Sequence, residues 1–264
     1  MSAIEKQLDG TILWAGKIQR NLQKLLDAHG DCVHFRPSSR GFSMIGLLAD
    51  RPQRGKGGFG ERDLALVQEN FEDLFKTHCS GTIHHGRRTG EKALQSFLIC
   101  ESYRNGRRLE SLNIASRKTS DPVDLRFITD EISLPLANGK KIVCDLLALR
   151  CDAGRSTPVL IELKDRRMQR RLVAQVDVYA DLIDQHRGHY ERLFAALLGK
   201  PVQFDKWPTE KWIVWPEVGP GQRDPREDEL ASKGIRVVGY QERDGRFILT
   251  VGQATTLKSG LSPA

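Results

Sequence analysis

The sequence predicts a mixed α/β fold, and three observations carry that reading. Apolar residues recur at helical spacing through much of the first hundred positions, most clearly at Ile12, Ala15, Ile18 and Leu22. Short extended segments then crowd together between 123 and 163, two of them strongly apolar. Helical spacing returns at 172–198, and strand-like runs follow it. Helices, a strand group, then helix and strand again describe a sheet covered by helices. At 264 residues the chain can bury a core without metal or disulfide staples.

Taken in order, 11–28 reads as a helix closed by His29-Gly30. A short strand near 31–35 and an extended piece at 42–48 follow. The basic, glycine-rich stretch RPQRGKGGFG at 51–60 reads as a loop, and it lacks the order of a phosphate-cradling P-loop. Residues 61–77 form a second helix in this reading, with Leu64, Val67, Phe71 and Leu74 along one side. A third starts near Thr89, runs through Tyr103 and stops at Asn105-Gly106. Extended segments are expected at 123–127, 132–136, 142–149 and 159–163. Helices are expected from about 168 to 185 and at 190–198. Strands at 211–214 and 235–240 are joined by a loop of Pro, Gly and Asp, and 247–251 is the last strand. We expect an N-terminal, mostly helical region with extended pieces over 1–84, a mixed α/β domain over 85–252 and a flexible tail over 253–264.

Composition narrows the function. The hydrophobic set is 39% and charged residues are 28%, which is ordinary for a globular chain and excludes collagenous or mucin-like classes. The 41 basic residues exceed the 34 acidic ones, for a net charge of +7, which favours a polyanionic partner. Five cysteines, an odd number without CxxC spacing, argue against a disulfide scaffold and suit a reducing compartment. No secretory pattern opens the chain and no long apolar run is present, so the expectation is a cytoplasmic protein without a membrane partner.

One constellation carries chemistry. Asp145 is a lone carboxylate in the apolar run 142–149, and Glu162 and Lys164 end the apolar run 159–164. Burying a charge is costly unless it is paired or binds a metal. Glu162 and Lys164 are two apart, so they share one side of a strand. With one turn between the runs, an antiparallel hairpin brings the three groups together. Two carboxylates can share a hard divalent cation such as Mg²⁺ or Mn²⁺, and an adjacent lysine can orient water or offset growing negative charge. On the following helix Gln175 and Tyr179 are four apart and share a face, where they could orient a phosphate or the lysine. Arg166, Arg167, Arg170 and Arg171 crowd the start of that helix, where phosphates would need neutralising.

These elements together resemble the PD-(D/E)xK nuclease superfamily. The matching segments are CDLLAL around Asp145, LIELK around Glu162 and Lys164, and QVDVY from Gln175 to Tyr179, so the likeness covers about 85–185. The proline usual before the first Asp is replaced by Cys144. The resemblance implies a restriction-endonuclease-like mixed central sheet flanked by helices. It implies that Asp145 and Glu162 bind Mg²⁺, with Mn²⁺ as an alternative, that the Leu163 carbonyl adds a ligand and that Lys164 assists the water. It implies a further acid on the first core helix, for which Glu91 is the choice and Glu101 the alternative. Gln175 and Tyr179 match the Q-x-x-x-Y of several relatives.

Other features are weaker. His78, Cys79, His84 and His85 lie close together but lack paired zinc-ligand spacing. His186 and His189 sit beyond the Q-x-x-x-Y helix, and Trp207, Trp212 and Trp215 read first as packing around a strand. No G-x-S-x-G elbow is present. Two functions remain: a metal-dependent nuclease acting on DNA phosphodiesters, or a non-catalytic module that keeps the fold and binds nucleic acid or protein. A homodimer is compatible with either.

Overall fold

The computed structural model describes residues 1–30, 32–47, 54–79, 90–117, 121–152, 154–167, 172–219, 224–243 and 246–251. Among the described residues the chain is mixed α/β, with eight helices. The first, α1 (Ala3–His29), starts well ahead of the expected position 11 because of a capping box. Ser2 Oγ accepts the Glu5 N–H at 3.1 Å, and the Glu5 carboxylate accepts the Ser2 N–H at 2.6 Å. Leu8, Ala15, Ile18, Leu22 and Leu26 form its buried stripe.

Strands β1 (Val33–Ser38), β2 (Gly41–Gly46) and β3 (Arg54–Phe59) make a three-stranded antiparallel sheet. The loop expected over 51–60 is therefore a strand in its described part. Pairing with β2 outweighs the poor strand propensity of glycine. The approach is close: a Cβ on Gly41 would stand 2.0 Å from the Phe59 carbonyl oxygen. The single helix expected over 61–77 is two, α2 (Asp63–Glu69) and α3 (Phe71–His78), because Asn70 leaves helical geometry at φ −123°, ψ 30°. Trp14, Ile18, Leu22, Phe35, Phe42, Met44, Phe59 and Val67 pack between these helices and the small sheet.

Beyond it come α4 (Gly90–Arg104), α5 (Glu110–Ser116), β4 (Leu125–Asp130), β5 (Ser133–Pro135), β6 (Lys141–Val143), β7 (Leu146–Asp152) and β8 (Arg155–Leu163). The chain continues through α6 (Leu172–Gln185), α7 (Arg187–Leu198), β9 (Glu210–Pro216), α8 (Pro225–Ser232), β10 (Ile235–Arg243) and β11 (Arg246–Val251). Helix α8 replaces the loop expected before β10. Its start is specified locally, by Asp224 accepting the Arg226 N–H at 3.0 Å and by Pro225 in the first turn. The expected strand 142–149 is interrupted at Cys144-Asp145. There the backbone bonds instead to the turn after β4, Cys144 N–H to the Ile132 carbonyl and the Asp145 carbonyl to the Glu131 N–H.

The main sheet has the order β11-β10-β9-β8-β7-β4. Strands β7 and β8 pair antiparallel with Leu146 opposite Ile161, whereas β8, β9 and β10 run parallel. Alternation sends Leu147, Leu149, Leu160, Ile213 and Trp215 toward α1, α6 and α7. It sends Leu146, Ala148, Val159, Ile161, Trp212 and Val214 toward α4 and α5. Sandwiching the sheet in this way puts the first turn of α4 and the start of α6 near the end of β8. No helix among the described residues is long and apolar enough to cross a membrane.

Candidate active site

The end of β8 is where acidic side chains from three elements meet one ammonium. Lys164 Nζ donates to Glu162 Oε1 at 2.8 Å and lies 3.6 Å from Asp145 Oδ2 and 3.6 Å from Glu91 Oε2. It also donates to the Leu163 carbonyl at 2.7 Å. Asp145 and Glu162 are 8% and 3% exposed, so neither charge is dissolved in bulk water. Asp145 comes from the break between β6 and β7, Glu162 from the end of β8, Lys164 from the residue that follows β8, and Glu91 from the first turn of α4. Glu101, the alternative upstream acid, is elsewhere: it accepts the Ser111 N–H at 3.0 Å and the Ser111 hydroxyl at 2.6 Å.

Electrostatics follow from this crowding. Burial and the neighbouring Asp145 push the Glu162 carboxyl up to about 7, against the pull of Lys164. Burial and Asp145 likewise raise Glu91. Burial disfavours the Lys164 ammonium, but Glu162, Asp145 and Glu91 outweigh it and hold its pKa above the ordinary lysine value. The lysine is therefore charged at neutral pH and compensates the acids around it.

Gln175, on α6, donates to Glu162 Oε1 at 2.7 Å and to the Val143 carbonyl at 3.2 Å. It joins the cluster. Tyr179 does not follow it there: one turn further on, it is buried and its hydroxyl donates to the Ile132 carbonyl at 3.0 Å, with the Tyr190 hydroxyl 3.4 Å away. Helical spacing gave the shared face correctly but not the depth. The phenol bonds the turn that also accepts the Cys144 N–H, and among the described residues no hydrogen bond joins it to Lys164, Asp145, Glu162 or Glu91.

Of the basic residues, Arg166 is exposed. Arg167 is turned inward. It donates to the Pro216 carbonyl at 2.6 Å, pairs with Asp224 at 2.7 Å and Glu227 at 3.0 Å, and lies over the Trp215 ring. Its guanidinium is thus already satisfied, and the expectation of a phosphate contact does not suit it. Arg170 and Arg171 lie outside the described residues, as do His84 and His85. His189 pairs with Asp9 at 3.6 Å, Trp212 and Trp215 are core residues, and Trp207 is exposed.

Sequence reasoning missed a buried polar network beside Asp145. Asp130, at the end of β4, is fully buried and pairs with Arg36 and with His34 Nε2, the latter at 2.9 Å. Burial lowers the His34 pKa against the opposing pull of Asp130; Nε2 lies 2.9 Å from Asp130 Oδ1 and Nδ1 2.8 Å from the Tyr103 hydroxyl. Gln95 and Lys92 on α4 complete the network. A fully buried glutamine in a helix and an Asp-Glu pair ending an apolar strand were the available signals.

The donors in the cluster are hard oxygens, the carboxylates of Asp145, Glu162 and Glu91 and the carbonyl of Leu163, which are the ligand types that suit Mg²⁺ or Mn²⁺. They are turned on Lys164, and among the described residues no group of three or more His, Cys, Asp or Glu side chains stands ready to hold a metal. Magnesium needs fewer protein ligands than that, since it keeps several waters and takes one or two carboxylates. The chemistry of the donor set therefore fits the ion. No protein-family model, no curated protein and no solved structure matches the chain.

Proposed function

We propose that this chain is a metal-dependent nuclease that hydrolyses phosphodiester bonds of DNA on a restriction-endonuclease-like fold. The observation that carries the reading is the single ammonium of Lys164 set among Glu162, Asp145 and Glu91 at the end of a β-hairpin. Two buried carboxylates, one from the break before β7 and one from β8, are expensive to maintain without a charge to serve. Asp145, Glu162 and the Leu163 carbonyl would hold the cation, with Glu91 close enough to act through water. When bound, a divalent cation polarises the phosphate and acidifies a coordinated water.

The chain's own residues do the rest. Gln175 holds Glu162 by its Oε1 and so fixes which oxygen remains free. Lys164 orients the attacking water and offsets the charge that grows on the phosphoryl oxygens. Arg166 and the net charge of +7 favour the polyanionic strand. The five cysteines form no disulfide, which suits a reducing, cytoplasmic setting. The test is cleavage of labelled single-stranded, duplex and flap DNA with Mg²⁺, Mn²⁺ or chelator. Metal-dependent cleavage supports the reading. No cleavage of any substrate, with no Mn²⁺ binding, favours a non-catalytic binding module instead.

A further inference from the structure

Asp145 sits in the gap between β6 and β7, where no continuous ladder fixes the direction of its side chain. Its main-chain carbonyl is nevertheless held twice, by the Glu131 N–H at 3.2 Å and by Gln95 Nε2 at 3.1 Å. Gln95 belongs to α4 and is fully buried. An apolar residue would fill such a position without the cost of desolvating an amide, so the amide needs a bonding reason. Both of its ends are engaged. The oxygen accepts from Lys92 Nζ at 2.8 Å, and the nitrogen is shared between the Asp145 carbonyl and Asp130 Oδ2 at 3.3 Å.

The partners of Gln95 are themselves anchored. Asp130 is clamped by Arg36 and His34 of β1. Lys92 also pairs with Glu131 at 2.5 Å, and Glu131 holds a left-handed φ of 48°, which is uncommon for a residue with a side chain. A continuous set of polar contacts therefore runs from the small N-terminal sheet to the backbone of Asp145.

We propose that Gln95 is a positioning residue for Asp145. Fixing the carbonyl on one side of the residue, while the Leu163 N–H holds the carboxylate on the other, sets the direction in which the carboxylate meets a divalent cation. The inference rests on the nuclease reading above and adds to it a group that touches neither metal nor substrate.

The test uses the full chain and two variants. Gln95→Met keeps the volume and removes the amide; Lys92→Met removes the partner that orients it and changes a side chain that is 36% exposed. Mn²⁺ affinity is read by calorimetry, kcat and KM on labelled DNA, and folding by thermal unfolding. Gln95→Met should bind Mn²⁺ about 10–100-fold more weakly, as loss of an orienting partner usually does. Its kcat should fall with KM nearly unchanged, and Lys92→Met should show a smaller loss in the same direction. A lowered unfolding temperature with wild-type Mn²⁺ affinity and wild-type kcat would overturn the inference, because that is the signature of a merely structural amide. Should Gln95→Met not fold, Lys92→Met decides, and unchanged Mn²⁺ affinity there overturns it. Wild-type protein that neither binds Mn²⁺ nor cleaves DNA would remove the nuclease reading and this inference with it; variants that match an active wild type in Mn²⁺ affinity and kcat remove the inference alone.

Discussion

Asp145 Oδ2 accepts the main-chain N–H of Leu163 at 2.8 Å, across the pairing of β7 and β8. The acid in the break before β7 is thus bonded to Leu163, the last residue of β8, which lies between Glu162 and Lys164. The two halves of the cluster cannot move independently, and their relative placement is a property of the hairpin.

That bond separates two substitutions. Asp145→Asn keeps an acceptor for the Leu163 N–H and should leave stability close to wild type. Asp145→Ala strands a buried donor, at a cost of about 1–3 kcal/mol. Both should lower cleavage by orders of magnitude. Denaturant unfolding and a cleavage assay on the same samples check the split, and equal stability of the two variants would remove the structural role given to the bond.

Glu162 predicts how the metal-free protein responds to pH. Its folded pKa is raised to about 7 from the ordinary 4.5, so the folded state holds the proton more tightly than the unfolded chain does. The associated stability is present below about pH 4.5 and is lost as pH rises through about 7, with a slope of at most about 1.4 kcal/mol per pH unit for one proton. Glu101, pushed up to about 7 mainly by burial, acts in the same window. Glu162→Gln should therefore flatten the decline in part, and adding Glu101→Gln should flatten it further. Unfolding free energies at pH 4.5, 6 and 7.5 are the measurement.

What the sequence made legible was local. Asp145 and Glu162 stood out because each is a lone carboxylate in an apolar run, and Gln175 because it precedes Tyr179 by one helical turn. The break at Cys144-Asp145 was not legible, since the apolar pattern runs through it and the competing bonds come from Glu131 and Ile132. Nor was the pairing of Gln95 with Asp130, 35 residues away, because nothing local sets which buried polar groups meet. Helix α8 is a different case: Asp224 and Pro225 are start signals that the surrounding Pro, Gly and Asp obscured.

Arg166 and Arg167 are neighbours with opposite commitments. Arg167→Met should destabilise the protein by about 1.5–3 kcal/mol, because it removes charged hydrogen bonds to Asp224 and the Pro216 carbonyl. Arg166→Gln should leave stability unchanged and reduce the salt slope of DNA binding by about 1, as loss of one phosphate contact does. Unfolding and binding across a salt series distinguish them.

Asp130→Asn tests the buried network on its own. It leaves Arg36 without its full counter-charge in a site where Asp130 is wholly buried, and the cost should be about 3–5 kcal/mol. Burial works against the Asp130 carboxylate, but Arg36 and His34 outweigh it and hold its pKa well below the usual carboxylate range. Its contribution is therefore present above about pH 3.8 and lost as pH falls through that depressed value. The variant should lose the steepest part of the acid unfolding curve, which far-ultraviolet circular dichroism from pH 5 to pH 1 records.

The central claim is that Lys164 acts on the reaction while Asp145 and Glu162 hold the cation. The measurement that reaches it most directly is parallel Mn²⁺ calorimetry and Mg²⁺-dependent cleavage of labelled DNA by wild type, Glu162→Ala and Lys164→Met. The account predicts that Glu162→Ala loses both binding and cleavage, and that Lys164→Met keeps Mn²⁺ affinity close to wild type while cleavage falls by orders of magnitude. Cleavage by Lys164→Met at the wild-type rate, or a wild type that neither binds Mn²⁺ nor cleaves DNA, would contradict it.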